Sequence, residues 1–173
     1  MVARTMTAAI LLALSAAGVG HADPRLSVQV NEDSDRTACR FWGDGETLSI
    51  ADNGHPILEK SYCAAYGEST ATIVTDKLGH HYVFLKYGEG HGSDATIDYL
   101  TIYLLSDHLT ERKTLILSER CGLSCDWTYN YAVHTSPTGG LQIILTLVVD
   151  GRPDAGISLP RQTRTAFVDP STN

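Results

Sequence analysis

The sequence predicts an all-β fold, and three observations carry that prediction. Apolar residues beyond the amino terminus recur at every second position rather than at helical spacing. Turn-forming residues punctuate the chain about every eight to twelve positions, the rhythm of short antiparallel strands. No helix is available to connect parallel strands, because the one long helix-like stretch lies at the extreme amino terminus.

That first stretch is expected to be discarded. Met1 and Arg4 give a positively charged start, an apolar run from Ala8 to Val19 follows, and Gly20-His21-Ala22 places small residues where a signal peptidase reads. Residues 1–22 therefore predict a cleaved secretory signal, too short to anchor in a bilayer. The expected location is periplasmic or secreted, with no membrane insertion. Removing Arg4 with the signal leaves 12 basic against 20 acidic residues, a net charge of −8. Such a balance argues against nucleic acid or an anionic membrane surface as partner, since both reward clustered Lys and Arg. It suits a cationic protein partner, and it is equally an ordinary aid to solubility.

The strands follow in order. Arg25 to Val30 reads as a strand, and Thr47 to Ile50 as a short one after the Gly43-Asp44-Gly45 turn, with Asn53-Gly54 turning the chain again. Tyr62 to Tyr66 is a further candidate. Thr70 to Thr75 and His81 to Tyr87 flank a hairpin turn through Asp76-Lys77-Leu78-Gly79-His80, with Gly79 in the left-handed position. A glycine-rich loop is expected from Gly88 to Asp94. In Thr96 to Leu105, residues Leu100, Ile102 and Leu104 share one face while Tyr99, Thr101 and Tyr103 share the other. Ser106-Asp107-His108 turns the chain into Leu109 to Ser118, where Leu115 and Leu117 compete with Ile116 for the core. Trp127, Tyr129, Tyr131 and Val133 fall on one face of the next strand. Leu141 to Val149 is apolar on both faces over much of its length, which predicts a central, well-covered strand.

The resulting expectation is a single antiparallel meander of about eight strands over residues 23–162. A small closed barrel is its first form and a two-sheet sandwich the alternative, because each buries sheet edges. Residues 163–173 are expected to form a loose polar tail. The four cysteines, Cys39, Cys63, Cys121 and Cys125, allow three pairings. The most economical joins Cys39 to Cys63 and Cys121 to Cys125, and the first bridge is worth roughly 3 kcal/mol by loop closure.

Familiar catalytic signatures are missing. There is no Gly-x-Ser-x-Gly elbow, no His-Glu-x-x-His and no Ser-x-x-Lys. The histidines match no established zinc-ligand spacing, and no residue pattern calls for a cofactor. The most distinctive segment is Gly88-Glu89-Gly90-His91-Gly92-Ser93-Asp94, with the Tyr99 and Tyr103 row beside it. Glu89, His91, Asp94, Tyr99 and Tyr103 are the candidate partner-binding residues, Tyr99 and Tyr103 because Leu100, Ile102 and Leu104 already supply the core face. The expected role is that of an exported, non-catalytic binding protein acting on an envelope or cell-wall-directed partner. In compartment and broad design such a chain is similar to the periplasmic lysozyme inhibitors and to some immunity proteins, with no residue role carried over. The alternative is a small metal-dependent or carbohydrate-active enzyme using His91 with a carboxylate of the Gly88–Asp94 loop.

Overall fold

The computed structural model describes residues 23, 25–32, 39, 44–64, 69–90, 95–121, 125–148 and 160–171. Residues 1–22, and with them the expected signal, lie outside the described residues. Among the described residues, ten antiparallel strands form two sheets. The first holds β1 (Leu26–Glu32), β2 (Asp44–Asp52) and β3 (His55–Ala64). The second runs from β4 (Thr70–Thr75) through β5 (His81–Gly90), β6 (Ala95–Leu105), β7 (Leu109–Cys121), β8 (Cys125–Thr135) and β9 (Leu141–Val148) to β10 (Thr163–Val168). Within each sheet every strand pairs with its neighbours in sequence, so both sheets are meanders. The β2–β3 turn shows why: Asn53 and Gly54 both take positive φ, 50° and 79°, the geometry whose twist matches a two-residue hairpin.

Alternation decides which residues meet, and two short segments break it informatively. Tyr82, Val83, Phe84 and Leu85 of β5 are all buried, as are Leu100, Thr101, Ile102 and Tyr103 of β6. Four consecutive buried residues require cover on both faces of the sheet. On one face, Val83, Leu85 and Tyr103 pack with Leu48 and Ile50 of the three-stranded sheet. On the other, Tyr82, Phe84, Leu100 and Ile102 pack with Trp127, Tyr129, Ile143, Leu145 and Val168 from the far end of their own sheet. The seven-stranded sheet is therefore coiled over itself. The Phe84 and Tyr131 ring centroids lie 6.4 Å apart, although a flat sheet would hold β5 and β8 about 14 Å apart.

Two register shifts between β6 and β7 supply bending points, near Asp98/Tyr99 and Ile102/Tyr103. At the second, Ile102 opposes Lys113 and Tyr103 opposes Glu111, which leaves Arg112 as the extra residue. Past this bulge Leu115 opposes Leu100 and is buried, Leu117, the extra residue of the other shift, is buried too, and Ile116 stays 38% exposed.

A buried carboxylate clasps the coil. The turn after β4 carries Asp76, whose side chain is fully excluded from solvent. Its Oδ1 accepts the Leu78 and His80 backbone N–H groups, both at 2.9 Å. Its Oδ2 accepts the Gly140 N–H at 2.7 Å and the His80 Nδ1–H at 2.9 Å. Gly140 lies in the β8–β9 turn, so this contact joins two hairpin tips 64 residues apart. Burial alone would raise the Asp76 pKa, but the donors of Gly140, His80 and Leu78 outweigh it and hold it at about 2. Nearby, an Arg112 guanidinium N–H donates to the Pro170 carbonyl at 3.1 Å, tying β7 to the segment after β10.

The all-β antiparallel expectation stands as two sheets, and among the described residues no ladder joins β4 to β10 and no closed barrel is seen. Coiling and a second layer bury the sheet faces. Several other expectations are corrected. Residues 163–168 form β10 instead of a loose tail, because Ala166 and Val168 turn into the core while the polar residues face out. The strand covered on both faces is not β9 but the β5–β6 hairpin: in β9 Leu141, Ile143 and Leu145 are buried, and Val148 on the other face is 45% exposed. Gly88 to Gly90 belong to β5, opposite Asp98 to Thr96, and residues 91–94 lie outside the described set. The Cys39–Cys63 disulfide is present, with an S–S distance of 2.11 Å. The backbone register sets Cys121 opposite Cys125, and their side chains lie outside the described set. No helix among the described residues is long and apolar enough to cross a membrane.

Candidate functional site

The end of the β5–β6 hairpin gathers aromatic and acidic groups. Tyr87 and Tyr99 are direct cross-strand partners. Their rings stack with centroids 5.6 Å apart and planes inclined by 29°, a pairing that stabilises both the ladder and the ring positions. Tyr62 of β3 leans on Tyr87 with centroids 5.5 Å apart. A continuous row of three rings thus bridges the two sheets. The Tyr62 hydroxyl donates to Oε2 of Glu46, a residue only 8% exposed on β2. Burial, followed by the Glu46 contact, pushes the Tyr62 pKa well above the ordinary phenol value.

Carboxylates surround the outer end of that row. One step beyond the Tyr87–Tyr99 pair, Glu89 opposes Ile97 on β6, and Ile97 opposes Glu119 on β7. Glu89 is exposed. The Tyr99 pKa is raised first by burial and then by the negative charges of Glu89 and Glu119 with the neighbouring Tyr87. For Tyr87 burial again leads, and Glu89 and Glu111 push the same way. Both phenols stay protonated at neutral pH within a negative field.

The sequence-predicted residues divide accordingly. Glu89 and Tyr99 come together at this end of the hairpin. Tyr103 does not lie on the surface: it is 4% exposed, packed between the sheets with Leu48 and Ile50, and Lys60 Nζ sits 5.3 Å from its ring centroid. The reason is the three-stranded sheet, which covers the face that Leu100 and Ile102 leave free. His91 and Asp94 lie outside the described residues. Tyr62, Tyr87, Glu46 and Glu119 were missed. Tyr87 could have been found by pairing it with Tyr99, had the length of the intervening loop fixed the hairpin register.

Metal chemistry finds no cluster here. Among the described residues no three of His, Cys, Asp and Glu are grouped as a metal site would require. His80 is bound to Asp76, and His81 Nδ1 lies 2.9 Å from the Thr75 hydroxyl. The arrangement can present flat aromatic faces, phenolic oxygens that accept and carboxylate charge, which are the means of recognising a cationic group. No family model, curated protein or solved structure matches the chain.

Proposed function

We propose that this chain is an exported, non-catalytic binding protein, of inhibitor or immunity type, that engages a cationic envelope or cell-wall-directed partner. The single observation that supports this reading is the stacked Tyr87–Tyr99 pair with Glu89 and Glu119 in the adjacent cross-strand row. Rigid aromatic residues cost little conformational entropy on binding, and surrounding carboxylates steer a positive partner and set its register. The contact surface comprises Glu89, Tyr99 and Tyr87, and the sequence adds His91 and Asp94, which lie outside the described residues. A periplasmic or secreted location accords with the Cys39–Cys63 bridge, which persists in oxidising compartments.

Affinity capture from envelope extract, followed by mass spectrometry, identifies the partner. Tyr99→Ala and Glu89→Lys are each expected to weaken it by more than about 1 kcal/mol. The loss from Glu89→Lys should shrink as salt is raised. Unchanged affinity in both variants would remove the site assignment. Stoichiometric zinc in the purified protein, together with a hydrolytic activity lost on His91→Ala, would replace this reading with a metal-dependent enzyme.

A further inference from the structure

Strand β10 ends the seven-stranded sheet, and its outer edge has no partner strand among the described residues. Its register with β9 shows which backbone groups face that edge. The Leu147 N–H donates to the Gln162 carbonyl at 2.8 Å, continuing the register in which Thr163 opposes Thr146. Antiparallel pairs alternate between exchanging both hydrogen bonds and exchanging none. Gln162, Arg164, Ala166 and Val168 therefore bond inward to β9, while Thr163, Thr165 and Phe167 direct their N–H and C=O groups outward.

That edge borders a cleft. One part, of about 350 Å³, is lined by Lys113 and Leu115 of β7, Leu145 of β9, and Arg164, Thr165, Ala166 and Phe167. Consecutive residues of a strand point to opposite faces, so only a cleft running along the edge is lined by Arg164 to Phe167 together. The adjoining part continues past Thr163 to Arg161 and Pro160. The opposite wall is β7, which pairs with β8 only from Ser118 to Cys121 and leaves Leu109 to Leu117 without a strand on that side among the described residues.

Other edges carry protection that this one lacks. Strand β3 holds Pro56 and Lys60, and its pairing with β2 is interrupted by a register shift. Strand β4 packs beside β1. Strand β10 pairs with β9 in unbroken register, contains neither Pro nor Lys, and leaves Phe167 69% exposed. The charge of the cleft is also distinctive. In a chain of net charge −7, Lys113, Arg161 and Arg164 line it with no acidic residue among the described lining residues.

We infer that the outer edge of β10 is a strand-addition site for an extended, acidic segment of a partner protein. The segment hydrogen-bonds Thr163, Thr165 and Phe167, sets an apolar side chain beside the exposed Phe167 ring, and places carboxylates near Lys113, Arg161 and Arg164. This inference does not rest on the tyrosine surface, and the two sites differ in the sign of the charge they select.

The test uses a synthetic hexapeptide alternating glutamate and valine, with a lysine–valine peptide as its opposite. Amide shifts on adding the acidic peptide to the full chain should concentrate at Thr163, Thr165 and Phe167. Lys113→Glu with Arg164→Glu should weaken that peptide about ten-fold or more and favour the lysine peptide. Thr165→Pro, which removes an outward N–H from an edge position that tolerates proline, should abolish binding without loss of the cooperative melt. The inference is overturned by any of three results. These are equal binding of both peptides, shifts confined to Tyr99 and Glu89, or no binding at about 1 mM. Concentration-dependent dimerisation abolished by Thr165→Pro would assign the edge to a second copy of this chain and overturn the partner reading as well.

Discussion

At the scale of single residues, Asp76 and Gly140 join two distant hairpin tips through one hydrogen bond. The Asp76 carboxylate is held ionised at a pKa of about 2, below its ordinary 3.8. Its contribution to stability is therefore fully present above about pH 4 and is lost as pH falls through the interval from 3.8 to about 2. The shift corresponds to about 2 kcal/mol, so acid titration of urea stability should show a decline in that window that is absent from Asp76→Asn. The Asn variant itself should lose about 3 kcal/mol at pH 7, since an amide cannot accept all the donors that converge on the carboxylate. Gly140 has φ 78°, and a Cβ there would lie 2.5 Å from the Val168 carbonyl oxygen. Gly140→Ala is thus expected to cost more than about 2 kcal/mol in chemical denaturation, through backbone strain and the forced displacement of β10. Gly54→Ala, with φ 79° but open space around the added carbon, should cost only about 1 kcal/mol. Sequence reading placed Asp76 in a hairpin turn and went no further, because an acidic turn residue reads as solvated until its distant donors are known.

At the scale of elements, β7 and β10 mark where pattern alone succeeds and where it stops. In β7 the sequence leaves Leu115, Leu117 and Ile116 in competition, and the two shifts against β6, invisible in a periodicity count, settle the register. Leu115→Ala should cost about 2–5 kcal/mol, and Ile116→Ala no more than about 0.5 kcal/mol, when unfolding is followed by denaturant. A reversal of those two values would contradict the register. The hairpins with distinct turns, β4–β5 and β6–β7, were legible because Gly79 and Ser106-Asp107-His108 interrupt clear alternations. Strand β10 was hidden because Thr163, Arg164 and Thr165 are polar and only Ala166 and Val168 enter the core. The tyrosine row was half legible: Tyr99 lies beside Glu89 as read, while Tyr103 sinks beneath a sheet whose docking the sequence does not announce.

At the scale of the whole molecule, the strand meander was readable and the layering was not. Alternation reports that a strand has an apolar face without saying which sheet covers it. The three-stranded sheet is joined to the rest by packing on β5 and β6 and is tied within itself by Cys39–Cys63. Replacing Cys63 with Ser should lower stability by about 3 kcal/mol, and the loss should register at Leu48 and Ile50 as well as in the global melt. Peptide mapping without reduction should recover a Cys121–Cys125 link, because the β7–β8 register sets those residues opposite one another.

The hairpin of β5 and β6 contributes residues to both apolar cores. Neither core can then open fully without exposing part of the other, which makes the two layers one cooperative unit. In native-state hydrogen exchange, the amides of Tyr82 to Leu85 and Leu100 to Tyr103 should be the last to take up deuterium. No fragment that lacks residues 81–105 should hold either core together on its own.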